Sequence, residues 1–184
     1  RHGRSGSPVG RAGRKGRDGT YSTENLEIWT STVPDGSAKA RARTNALAEP
    51  RSLSHNHDLC LLAPTLSDTA ESSFETSLRW SADSASVLAR VGHHGDGQLV
   101  AFPVDGSEPR VLTDHRAECN LGNCSKDGTL LAATRSDPVT PPEAGVLRIT
   151  RKGAQWQALT AFNRPLLNEL DLSTPTEQWV VADD

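Results

Sequence analysis

The residues able to do chemistry in this 184-residue chain are few and scattered. Three cysteines, Cys60, Cys119 and Cys124, form an odd set without the spacing of a disulfide framework or a zinc knuckle. They read as buried or idle thiols. His55 and His57 would share one face of an extended strand, and His93 and His94 are adjacent. No further ligand at metal-binding spacing completes either pair, so all four read as solvated loop histidines. Asp96 lies between Gly95 and Gly97, and Asp105 precedes Gly106, but neither begins a loop closed by a glutamate as calcium requires. Ser125–Lys126 sets a hydroxyl beside an amine, yet neighbours in a strand or turn point apart. The nearest approach to a Gly-x-Ser-x-Gly nucleophile elbow is Gly3-Arg4-Ser5-Gly6, one residue short. The sequence therefore assigns no catalytic residue, no metal ligand and no cofactor.

Composition narrows the classes further. Hydrophobic content of 35% with only 4% aromatics leaves room for one modest core and much loop or tail. A net charge of −3 argues against bulk attraction to nucleic acid or acidic membranes. No apolar run reaches the roughly 18 residues of a spanning helix, and no secretory apolar region is recognisable. The compartment stays open, with the cytoplasm slightly favoured. The lack of any methionine reads as the mark of a fragment or processed piece.

Residues Arg1 to Thr20 are rich in glycine, arginine and serine, with glycine at 10, 13, 16 and 19. Four triplets are too few for a collagen register. The segment reads as a disordered tail, with a basic arm for a polyanion as the alternative.

The elements that would position any site come from a repeat. Leu99 to Val104, Asp105-Gly106-Ser107 and Arg110 to Thr113 read as strand, tight turn and strand, because Asp-Gly favours hairpin turns. The phrase recurs upstream as Leu26 to Trp29, Asp35-Gly36-Ser37, Arg41 and Thr44. Downstream it recurs as Val146 to Ile149, Lys152-Gly153, Trp156, Leu159 and Thr160. A second phrase precedes the hairpin. Trp80-Ser81-Ala82-Asp83-Ser84 leads into Val87 to Val91, and Cys124-Ser125-Lys126-Asp127-Gly128 leads into Leu130 to Thr134. Trp80 and Cys124 lie 44 residues apart, and Thr113 and Thr160 lie 47 apart. Solenoids and sandwiches also repeat hairpins, but two matched landmarks per unit at a period near 45, with four short strands, favour propeller blades. Thr44 to Thr113 is 69 residues, so the first unit carries an insertion, placed between Asn45 and Ser77. Asn45 to Asn56 reads as a surface connection, Leu59 to Ala63 as a buried strand, and the segment through Pro138, Pro141 and Pro142 as a loop. Trp29, Trp80, Trp156 and Trp179 are expected to fill the core between blades. After Thr160 the period breaks: Asn163 and Pro165 start a short helix with Leu166, Leu167 and Leu170 on one face, and Trp179-Val180-Val181 begins another strand.

The two Ser-x-Asp phrases resemble the Trp-Ser-x-Asp-Gly signature of blades in the prolyl oligopeptidase family of serine peptidases. The run Leu159-Thr160, Phe162-Asn163, Leu166-Leu167, Glu169-Leu170, Leu172-Ser173, Pro175 and Glu177 is similar to the segment joining propeller to hydrolase in its acylaminoacyl-peptidase and dipeptidyl-peptidase-like members. The resemblance covers Glu24 to Asp184 and is strongest from Leu78. Ser84 stands where the signature has glycine, and Cys124 where it has tryptophan.

The resemblance implies the last blades of a propeller that gates peptide substrates, with a hydrolase domain C-terminal to Asp184. The expected architecture is all-β. About three four-stranded antiparallel blades occupy residues 21–160, residues 1–20 form the tail, and residues 161–184 are a linker with a short helix. The motif residues are Trp80, Ser81, Asp83, Asp105, Gly106, Thr113, Ser125, Asp127, Gly128, Thr160 and Asn163, all in structural roles. A stand-alone propeller-like module binding a protein or peptide is the alternative, and a nucleic-acid binder acting through its basic tail is a further one. An open arc of blades would expose strand edges, favouring self-association and marginal stability.

Overall fold

The computed structural model describes residues 9–12, 27–31, 50–59, 61, 78–150 and 152–181. Eleven strands and one short helix occur among them, in three antiparallel sheets. The first sheet holds β1 (Val9–Ala12), β2 (Glu27–Thr30) and β3 (Arg51–Ser52). The second holds β4 (Arg79–Trp80), β5 (Ser86–His93), β6 (Asp96–Pro103) and β7 (Arg110–Val111) in sequence order. The third repeats that meander with β8 (Glu118–Cys124), β9 (Leu130–Asp137), β10 (Thr140–Thr150) and β11 (Gly153–Ala158). The 44-residue spacing is exact in register: Trp80 faces Val87, and Cys124 faces Leu131.

The second sheet is covered on both faces, so β5 and β6 are almost continuously buried. Alternation sorts their side chains. Val87, Ala89, Val91, Val100 and Phe102 pack with Ile28, Leu53 and Leu61 from the side of the first sheet. Leu88, Leu99 and Ala101, with Leu112, pack on Leu131, Ala133 and Leu147 of the third. Stacked meanders that share cores in this way have the arrangement of neighbouring propeller blades. Gly128, with φ +69°, fixes one close approach between them: a Cβ there would overlap Ala82 in the equivalent turn of the second sheet.

Several expectations need correction. The Asp105–Gly106 turn is not a two-residue hairpin, because the last β6–β7 pair is Ala101 with Arg110 and eight residues intervene. The tight turn is His94–Gly95 between His93 and Asp96, with φ of 51° and 82° as a type I′ turn requires. Pro141 and Pro142 lie inside β10 rather than in a loop. They cannot donate to the ladder, and the register shifts between Thr140 and Glu143 to step over them. The expected surface connection contains β3, whose neighbours Leu53 and Ser54 are buried; Leu53 N–H donates to the Ile28 carbonyl at 2.8 Å. Leu59 and Leu61 are not in a strand, although Leu61 is buried as expected. Trp29, Trp80 and Trp156 are half-buried, whereas Trp179 is 69% exposed and its segment pairs with no described strand. Val9–Ala12, within the expected tail, forms an antiparallel ladder with β2. Asp35-Gly36-Ser37, Arg41, Thr44, Cys60 and the remainder of residues 1–20 lie outside the described residues.

Candidate functional site

The Ser-x-Asp phrases form the same turn twice. In the second sheet the Ser81 hydroxyl donates to Asp83 Oδ1 at 2.6 Å and accepts the Ser86 N–H at 2.9 Å, while Ala85 N–H donates to Asp83 Oδ1 at 3.0 Å. In the third, Ser125 donates to Asp127 Oδ1 at 2.6 Å and accepts the Leu130 N–H at 3.0 Å, and Thr129 N–H donates to Asp127 at 3.1 Å. Both carboxyls are held below their usual range, first by the serine hydroxyl and then by the backbone N–H. Ser84 has φ 58°, so it occupies the left-handed position that Gly128 fills in the repeat. Ser125 is thus committed at both its donor and its acceptor, and the Ser125–Lys126 pair is a turn rather than a nucleophile with its base. Asp105 organises its own turn by accepting from the Ser107 N–H at 2.9 Å and hydroxyl at 2.7 Å, with Gly106 at φ +86°.

Thr113 and Thr160 are latches. Each follows the fourth strand of its sheet and reaches back to the third. Leu99 N–H donates to Thr113 Oγ1 at 2.9 Å, and Thr113 donates to Gln98 Oε1 at 2.6 Å. Ala144 N–H donates to Thr160 Oγ1 at 2.8 Å, and Thr160 donates to Glu143 Oε2. Gln98 then donates from its amide to the His115 carbonyl at 2.8 Å. Glu143 has only acceptors, and it takes the Asn163 N–H at 2.9 Å and the Asn163 Nδ2 at 3.1 Å. The Thr160 hydroxyl, followed by the Asn163 N–H, pulls Glu143 down to a pKa of about 2. Asn163 therefore stands at the N-cap of α1 (Arg164–Leu167) without capping it, because its side chain serves Glu143 instead. Pro165 sits in the first turn as the sequence suggests, but a four-residue helix presents no burying face, and Leu166 and Leu170 are exposed. A cavity of about 340 Å³ opens beside this knot, with Arg135, Trp156 and Arg164 in its wall.

Between the second and third sheets lies a buried ion pair that sequence reasoning missed. Arg90 on β5 has its side chain 5% exposed and bonds Glu118 on β8, 13% exposed. Arg90 falls on the face of Leu88, the one turned to the third sheet, and alternation from Leu88 was the available signal. Glu118 also lies over Gly97, where any Cβ would overlap its carboxylate. Nearby, His115 Nε2 is buried without a hydrogen-bond partner, and desolvation, followed by the charge of Arg135, pushes its pKa below the ordinary value.

The remaining chemistry-bearing residues do not converge. His55 Nδ1 meets Glu27 Oε1 at 2.9 Å, while His57 faces Glu108 at 3.6 Å, so the two histidines serve different carboxylates. His93 and His94 stack at 3.9 Å, and His94 meets the edge of Trp179 at 5.0 Å. Burial pushes the Cys119 thiol up to about 12 and raises that of Cys124, which keeps both protonated. Among the described residues no three of His, Cys, Asp and Glu gather as a metal site would require, and no helix is long and apolar enough to cross a membrane.

Neither a protein-family comparison nor a search of curated proteins finds a match to this sequence. Among solved structures the chain is similar to TolB from Acinetobacter baumannii, a β-propeller protein, at 13% identity and a TM-score of 0.43. The match covers 75% of this chain and 28% of the TolB chain.

Proposed function

We propose that this chain supplies consecutive, non-catalytic propeller blades and the following linker of a serine peptidase of the prolyl oligopeptidase family. In that setting the blades restrict the entry of peptide substrates to a hydrolase domain. The observation that carries the reading is the Glu143–Thr160–Asn163 knot. Thr160 and Asn163 belong to the run that resembles the family's linker, and the knot ties that run to the third sheet. In and after the knot, Phe162, Leu166, Trp179, Val180 and Val181 are 60–98% exposed, large apolar side chains suited to cover by a second domain.

The test is the coding sequence beyond Asp184 and the activity of its full product. A hydrolase domain carrying Gly-x-Ser-x-Gly there, with fluorophosphonate labelling and cleavage of acyl-peptide or dipeptidyl anilides, supports the reading. A stop codon at that point overturns it, as does fluorophosphonate labelling of residues 1–184 alone.

The same exposed side chains support a second reading, a stand-alone module whose protein or peptide partner covers them. A stop after Asp184 together with capture of an extended apolar peptide would favour it. Self-association through open strand edges predicts a mass that rises with concentration in light scattering. A nucleic-acid role predicts affinity that falls steeply with salt and vanishes when residues 1–20 are removed.

A further inference from the structure

We propose that the cavity beside the third sheet binds a small organic anion, a carboxylate carried on an apolar or aromatic group. Its volume of about 340 Å³ lies at the lower end of small-ligand pockets. Two guanidinium groups line it, Arg135 from β9 and Arg164 from α1. Among the described residues neither side chain has a hydrogen bond or ion pair to a protein group, although two carboxylates share the cavity wall.

Those carboxylates are engaged elsewhere. Glu143 takes hydrogen bonds from Thr160 and from both nitrogens of Asn163, and Asp137 Oδ1 accepts the Val139 N–H at 3.0 Å. The cavity thus keeps two planar, permanently charged donors with unspent hydrogen-bonding capacity, the fork geometry that matches a carboxylate.

The apolar requirement comes from Trp156. Its indole is half-buried, packs against the core shared with the second sheet, and crosses Gly145 so closely that a Cβ there would overlap the ring. The ring is therefore held in place, and it forms part of the cavity wall together with half-buried Leu167. A fixed aromatic surface takes up the hydrocarbon part of a ligand with little loss of side-chain freedom. All these residues lie within this chain, so the inference stands apart from the peptidase reading.

Isothermal titration of residues 1–184 with N-acetyl-L-phenylalanine and with its uncharged amide tests the proposal. The acid should bind at least about tenfold more tightly than the amide, the difference that charge-assisted hydrogen bonds supply. Arg135→Gln and Arg164→Gln should each weaken the acid several-fold and leave the amide unchanged, and Arg135→Lys should restore part of the loss. Thermal melting of each variant alongside the parent reports that the fold is intact. Equal binding of acid and amide overturns the proposal, as does an unchanged affinity in the double Gln variant or no binding of either compound to the folded chain.

Discussion

The second and third sheets are one design in two environments. Both are four-stranded meanders with the same serine–aspartate turn and the same threonine latch. The second is buried on both faces, and its latch is dry: Gln98 and Thr113 are 7% and 3% exposed. The third has one covered face, and its latch is half-exposed. The polar residue beside the threonine follows this difference. A neutral amide suits the buried site, where a lone carboxylate would lose its hydration, and it donates to the carbonyl of His115 on the way to β8. A carboxylate suits the wetter site, where it accepts N–H groups and turns the chain into α1. One repeated latch thus sends the chain in two directions by exchanging a donor for an acceptor.

The largest effect should come from the joint between the two sheets. Replacing Arg90 by methionine breaks its buried pair with Glu118 and should cost about 3–5 kcal/mol in urea unfolding. The double change Arg90→Met with Glu118→Leu should recover most of that loss, and failure to recover would mean that the pair also fixes the packing of the sheets. Next come the paired turns. Gly128→Ala meets both a left-handed φ and the Ala82 contact, for a loss of about 2–3 kcal/mol. Ser84→Gly relieves the same φ in the other turn and should gain up to about 1 kcal/mol. Equal responses at the two positions would break the equivalence.

Smaller again is the contrast between latches. Thr113→Val leaves a buried N–H and a buried amide oxygen unpaired, at about 1–3 kcal/mol. Thr160→Val should lose roughly half as much, because water reaches its partners. The smallest effect is pH-dependent. The Glu143 pKa lies below its unfolded value, so its contribution is complete above the unfolded value and disappears as pH falls toward about 2. The pKa of His115 is also lowered, which favours the folded state above the usual histidine range and loses that advantage on acidification. Stability followed by tryptophan fluorescence should therefore fall in two steps on acidification. Glu143→Gln should shrink the more acidic step, to which Asp83 and Asp127 also contribute, and leave the other step unchanged.

The sequence carried the repeat clearly, because the turn residues act locally: Ser81, Asp83, Ser125 and Asp127 bond within five residues of themselves. The two threonines were legible by period, although their partners 14 to 17 residues back were not. Hairpin chemistry misled at Asp105–Gly106, where the aspartate braces a longer connection, while His94–Gly95 took the tight turn. Pro141 and Pro142 read as loop because proline breaks ladders, and a strand that shifts register around them leaves no local sign. Arg90–Glu118 and Asn163–Glu143 depend on which elements meet, which a single stretch of sequence does not record.

Within the second and third sheets every strand pairs only with its neighbours in sequence. Such low contact order keeps the entropy of loop closure small and makes each meander a fast-forming unit. On the ribosome the second sheet has all four strands once Val111 has emerged, before any residue of β8 is available. Arg90 must then wait for Glu118, 28 residues later in the chain. For that interval the growing protein displays the apolar face of Leu88, Leu99 and Ala101 before β9 and β10 can cover it, so each meander must hold its own shape until the next one stacks on it.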